Sequence, residues 1–161
     1  MVAWESLAFA DAELPVLPRI PLIRRWRAAR AYFQACLLYR RKGFPESKNY
    51  LLHLRAKFVS LRMSSSVEAL RYARKELVFL RVLGRLLGED PACLPASVSL
   101  TAGLIGLGLP VQLVVGKCTV FLSNEFDFHA WVEMDGEPIY EPQQVQKRFI
   151  TLLRIPDWKD A

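Results

Sequence analysis

Cys93 and His129 are the residues whose types and surroundings could do covalent chemistry. Cys93 ends the turn-forming stretch GEDPAC and heads the apolar run from Leu94 to about Leu107, in which Leu100, Leu104 and Leu107 recur at helical spacing. A thiol there sits at a helix N-terminus, where unpaired amide N–H groups and the helix dipole favour the thiolate, the nucleophilic form. Such a thiolate needs an imidazole to pair with it and to protonate a leaving amine, and a third polar group to hold the ring. The chain has two histidines. His53 lies among Leu51, Leu52 and Leu54 on a basic amphipathic run, which suits packing or surface. His129 lies in DFHAWVEM, a predicted strand, two residues before Trp131 on the same face. Cys118, at a strand end, and Cys36, in an Ala/Leu-rich helix, have no evident activating dipole.

The elements that must position these residues follow from periodicity and punctuation. Residues 1–21 carry Pro15, Pro18 and Pro21 and read as an arm. A helix is expected at about 22–42, stopped by Gly43 and Pro45, and a second at about 46–62 with Leu51, Leu54, Phe58 and Leu61 at intervals of three and four. Ser65 and Glu68 match a capping box that opens a third helix, with Leu70, Leu77, Leu80 and Leu83 as its apolar stripe and Gly88 as its C-cap. After the Cys93 helix, Gly108 to Pro110 turns the chain into the strand VQLVVGKCTVF. DFHAWVEM and EPIYEP then read as hairpin arms around Asp135-Gly136, and the tail reads as short helix or coil. Helices first, then helix and sheet, give an α+β fold. Two regions are expected: a basic arm and helices over 1–62, and a core over 63–161.

Composition narrows the setting. The 161 residues suffice for one domain with a real core. From Arg19 to Arg62 there are twelve Lys or Arg and one acid, Glu46, so that stretch carries +11 while the rest of the chain carries −5. Such a face suits an acidic partner or an anionic membrane surface. No zinc-finger, RNA-binding or helix-turn-helix signature accompanies it, so nucleic acid is not expected. Three cysteines without close pair spacing indicate neither a disulfide framework nor a metal site, which fits a reducing, cytoplasmic setting. The N-terminus lacks the basic-then-apolar pattern of a secretion signal. Residues 91–116 form an uncharged stretch of 26, yet Gly106, Gly108 and Pro110 interrupt it, so it reads as buried helix, turn and strand.

The stretch ACLPASVSLTAGLIGLGLPVQLVVGKC, followed by FHAWVEMDGEPIYEP, resembles the leader peptidases of lasso-peptide biosynthesis, which are transglutaminase-like cysteine proteases. The resemblance spans roughly residues 68 to 155. It rests on Cys-Leu heading an apolar helix, a Gly-x-Pro-type turn into a strand ending in Val-Gly, and His-Ala-Trp-Val-Glu with a following Gly. It implies a transglutaminase-like (papain-like) core with N-terminal helices beside a small antiparallel sheet, Cys93 as nucleophile and His129 as base and acid. The third member in that family is an Asp shortly after the hairpin turn, and the matching residue here is Glu141, a departure from the pattern.

Hairpin geometry bears on that residue. A three-residue or bulged turn would place Glu141 opposite Trp131, on the face of His129, with Gln143 directly opposite His129. A plain two-residue turn would put Glu141 opposite Ala130, on the wrong face. Asp135 lies six residues along the strand, about 20 Å from His129, and is explained by the turn itself. The order of preference is Glu141, Gln143, Asp135. Trp131 is expected to wall the site or to be ordinary core.

The implied activity is removal of the leader from a ribosomally made precursor by thiolate attack, without metal or organic cofactor. The implied partners are the precursor's leader region, a separate precursor-recognition protein or domain, and the lasso cyclase, with the basic segment as the docking face and peripheral membrane contact left open. The alternative is a noncatalytic transglutaminase-like scaffold or membrane-associated binding protein in the same kind of pathway. Amide-forming transfer is chemically open to the same residues.

Overall fold

The structure, a computed structural model, describes residues 19–63, 65–86, 88, 92–118 and 128–158. Helix α1 (Leu22–Ala56) contains the expected break, because Gly43 adopts φ 75° and ψ −166° inside it and Pro45 follows. The Tyr50 hydroxyl donates to Gln34 Oε1 at 2.7 Å. Sixteen residues of straight helix would separate these side chains by about 24 Å, so the chain doubles back at Gly43 into two adjacent arms.

The second arm ends at Ala56 rather than near 62. Its continuation finds backbone partners outside the helix. The Leu61 N–H donates to the Gly108 carbonyl at 2.8 Å, and Arg24 Nη1 donates to the carbonyl of Val59 at 3.3 Å. Phe58 packs on Trp158 with ring centroids 4.8 Å apart, and Trp158 in turn donates its indole N–H to Val111 O at 2.9 Å. Tertiary contacts thus outweigh the local helical spacing.

Helix α2 (Ser66–Leu86) starts where Ser65 Oγ accepts the Glu68 N–H at 3.2 Å, as a capping box requires. It ends before Gly88, whose φ is +64°. Its buried face is Ala69, Tyr72, Ala73, Glu76, Leu77, Leu80 and Gly84, broader than the leucine stripe and including a carboxylate. Arg25 of α1 satisfies Glu76 at 2.7 Å.

Helix α3 (Cys93–Leu107) is the centre of the molecule. Gly106, expected to help break the apolar run, lies inside this helix and is the reason it can be buried. A Cβ on Gly106 would stand 2.9 Å from Ala31 Cβ and 3.0 Å from Arg27 O, and one on Gly103 would stand 2.7 Å from Leu80 Cδ1. Two glycines three apart therefore let the α3 backbone approach Ala28 and Ala31 of α1 directly. Two of its hydroxyls are satisfied within the helix: Ser99 donates to Pro95 O and Thr101 to Ser97 O. Among the described residues no helix is long and apolar enough to cross a membrane.

Gly108, at φ 104°, closes α3 and turns the chain back. Among the described residues the strands are β1 (Val111–Cys118), β2 (Phe128–Met134), β3 (Glu137–Pro138) and β4 (Phe149–Ile155), in the order β3-β2-β1-β4, with a one-turn helix α4 (Val145–Arg148) before β4. Both pairs involving β1 are antiparallel. The tail thus holds a short helix, as expected, followed by an edge strand that the sequence pattern did not announce. Its outward Ile150 and Leu152 are exposed, so the burial alternation that marks a strand is weak there. The expected extension of β1 to Phe121, Asp127 of β2 and most of the N-terminal arm lie outside the described residues. The α+β architecture is as expected, and one hydrophobic cluster joins α1, α2, α3 and the inner face of the sheet.

Gly106→Val should lower the unfolding free energy by about 3 kcal/mol, because the obstructing atoms include backbone that cannot yield. Urea denaturation of the variant would measure this, and an unchanged midpoint would contradict the close α1–α3 crossing.

Candidate active site

Cys93 is the first residue of α3, half-buried and free of any disulfide. The preceding residue, Ala92, supplies no side-chain cap to the first-turn N–H groups beside the thiol. Chain direction sets where this end lies. From Leu107 the chain turns at Gly108 and runs back along β1. The roughly 22 Å of α3 and the roughly 17 Å from Val111 to Gly116 are similar lengths, so Cys93 returns to the Gly116 end of the sheet. Gly116 is the register partner of His129. A direct tie fixes the alignment: Ser97 Oγ, one turn into α3, donates to the carbonyl of Ala130 at 2.9 Å.

His129 is the second residue of β2 and is 26% exposed; its Nε2 lies 3.6 Å from Glu141 Oε1. That separation is an ion-pair distance for an imidazolium rather than a hydrogen bond, and it leaves Nδ1 for another partner. The ring stacks against Trp131, with centroids 5.9 Å apart and planes 22° from parallel, and meets Phe149 at 5.3 Å.

The turn that precedes Glu141 has two residues, Asp135 at φ 52° and Gly136 at φ 82°, joining Met134 to Glu137. Strict pairing would then have put Glu141 on the wrong face. The face rule does not apply because the ladder is short: β3 ends at Pro138, one more hydrogen bond joins the Ile139 N–H to Val132 O, and the chain bends away. Helix α2 holds this bend. Arg74 Nε donates to Ile139 O at 3.1 Å, and the Arg81 guanidinium lies 4.0 Å from the Tyr140 ring centroid. Glu141 is thereby brought round to His129 from outside the sheet. Gln143 instead donates to Glu137 Oε2 at 2.8 Å, and Asp135 stays at the turn.

Trp131 is 2% exposed, and sequence reasoning missed what anchors it. Its indole N–H donates at 2.8 Å to Oε1 of Glu133, which has no exposed surface. Gln146 Nε2 donates to the same oxygen at 2.8 Å, and Arg154 of β4 donates to Oε2. His129, Trp131 and Glu133 alternate along β2 on one face, so period 2 alone could have grouped them. Arg154 and Gln146 come from the tail and carried no such signal. Gly116 completes the arrangement. A Cβ there would lie 2.9 Å from both Phe149 Cβ and Trp131 Cη2, so only glycine leaves space for the two aromatic side chains beside the imidazole. Among the described residues no group of three or more His, Cys, Asp or Glu is placed to hold a metal ion.

A helix N-terminal cysteine set against an antiparallel sheet that carries a histidine and a neighbouring carboxylate defines a class of fold, and comparison agrees with it. A family model described as the transglutaminase-like superfamily matches residues 48–154, and the chain belongs to that superfamily, which includes cysteine peptidases. The matched region runs from the second arm of α1 to β4 and contains Cys93, His129, Glu133 and Glu141. No curated protein and no solved structure matches the chain.

Glu133→Ala should destabilise the protein by about 3–5 kcal/mol, since it leaves the Arg154 cation, the indole N–H and the Gln146 amide without their shared acceptor. Glu133→Gln keeps the shape and should lose less, about 1–3 kcal/mol. Chemical denaturation of both variants checks this; equal stability of Glu133→Ala and wild type would remove the network from the account.

Proposed function

We propose that this protein is a cysteine peptidase that removes the leader from a ribosomally synthesised lasso-peptide precursor, using Cys93 as nucleophile and His129 as base and acid. The observation that carries the peptidase reading is the pairing of His129 Nε2 with Glu141 at the end of the sheet to which the head of α3 returns. The lasso-precursor assignment rests on the sequence pattern around Cys93 and His129. Glu141 serves as the positioning carboxylate, in place of the Asp of the resembling family.

In the proposed reaction the Cys93 thiol gives its proton to His129, and the thiolate forms a bond to the scissile carbonyl carbon. The backbone N–H of Cys93 supplies part of the stabilisation of the oxyanion. The imidazolium, held by Glu141, donates its proton to the leaving amine as the C–N bond breaks. Water, deprotonated by His129, then hydrolyses the thioester and restores the thiol. His129 lies on the face of β2 opposite Ala130, whose side chain packs toward α3. The proposed reaction therefore requires the thiol to reach the imidazole around the start of the strand, where Phe128 and His129 begin the ladder. Partners in this reading are the precursor leader, a recognition protein and the cyclase, in the cytoplasm.

Iodoacetamide labelling at pH 6 with peptide mapping should modify Cys93 faster than Cys36 and Cys118, and His129→Ala should abolish that difference. With precursor and recognition protein present, Cys93→Ala should abolish cleavage, and Glu141→Gln should slow it by about 10²-fold. Normal processing by Cys93→Ala would sink the peptidase and favour the scaffold reading. Transfer of the acyl group to an added amine in place of hydrolysis would reassign the chain as a transferase.

A further inference from the structure

The far end of α3 carries a second concave site. Between the two arms of α1 lies a cavity of about 470 Å³, floored by Ile105 and Gly106 of α3. Apolar surface comes from Ala31, Leu54 and Phe58, and the rim carries Arg24, Arg27, Arg30 and Lys57. No carboxylate lines it among the described residues.

These cations are not equivalent. Arg24 is committed to the fold, donating to the carbonyls of Val59, Ser60 and Leu107. Its neighbour Arg25 pairs with buried Glu76. Charge reversal at either would therefore disturb packing and cannot report on docking. Arg27 and Arg30 stand one helical turn apart on one wall, and Lys57 stands on the segment that forms another. Burial pushes the Tyr50 phenol up, and the Arg30 charge partly offsets this, so the Arg30 field reaches the cavity wall.

We propose that this cavity docks an acidic peptide segment with apolar side chains, its carboxylates meeting Arg27, Arg30 and Lys57 and its apolar groups resting on the floor. Several cations spaced along a groove suit several carboxylates better than one compact anion. The recessed position does not suit a flat bilayer. Phe58 is already packed on Trp158, so that ring is not free to stack on nucleic-acid bases.

The site is separate from Cys93, because twelve to thirteen residues of α3 place them about 18–20 Å apart. On the peptidase reading, a substrate docked here needs about six extended residues or more to reach the thiol.

Fluorescence anisotropy tests the docking directly, without turnover, so failure of the peptidase reading leaves the test intact. The probes are a labelled peptide alternating Glu and Leu and its Lys/Leu counterpart. The Glu/Leu peptide should bind and the Lys/Leu peptide should not. Arg27→Glu, Arg30→Glu and Lys57→Glu should each weaken binding about tenfold with an unchanged unfolding transition. Lys57 lies beyond the helix, so its variant remains informative if α1 tolerates neither other change. Equal binding of the two peptides, affinity unaffected by all three reversals, or tighter binding of a single-stranded oligonucleotide would overturn the proposal.

Discussion

Enclosure of α3 on several sides organises the molecule: α1 meets it at Ala28, Ala31 and Tyr32, α2 at Leu80, and the inner face of the sheet covers the remainder. Each fully buried aliphatic side chain in such a core contributes about 1.5–3 kcal/mol, but the enclosure also imposes conditions. The helix must be thin where α1 crosses it, which Gly103 and Gly106 provide. Its hydroxyls must find acceptors, and Ser97 finds one on β2 beside His129. The same burial that stabilises the helix therefore fixes the level of Cys93 against the sheet.

The outer face of the sheet combines a small apolar cluster, Val114, Trp131, Val145 and Phe149, with buried charge. Glu133 is fully buried and would be costly without partners; Trp131, Gln146 and Arg154 supply them. Because Arg154 comes from β4 and Gln146 from α4 before it, the network ties this later part of the chain to the strand that carries His129. Trp131, so held, presents its ring to the imidazole, while Gly116 leaves the space it needs. The orientation of His129 thus depends on the Glu133, Gln146 and Arg154 side chains that hold Trp131.

The basic N-terminal helices combine two roles that composition alone merges. Arg24 and Arg25 serve the fold through backbone carbonyls and a buried carboxylate. Arg27, Arg30 and Lys57 line a cavity. Net charge describes both groups equally, and only their partners separate them.

The sequence by itself determined the helical order, the break at Gly43, the cap at Ser65, the placement of Cys93 at a helix start and the Asp-Gly turn, because each depends on local backbone preference or short-range periodicity. It also indicated the family pattern around Cys93 and His129. Tertiary structure decided the rest. The second arm of α1 stops at Ala56 because its next residues bond to Gly108 and pack on Trp158. The tail becomes a strand because β1 offers it an open edge, which no local pattern announces. Glu141 stands beside His129 despite a two-residue turn, because the ladder ends early and Arg74 and Arg81 of α2 hold the following bend. Partners far apart in the chain made these choices, and a spacing rule that reads only neighbours has no access to them.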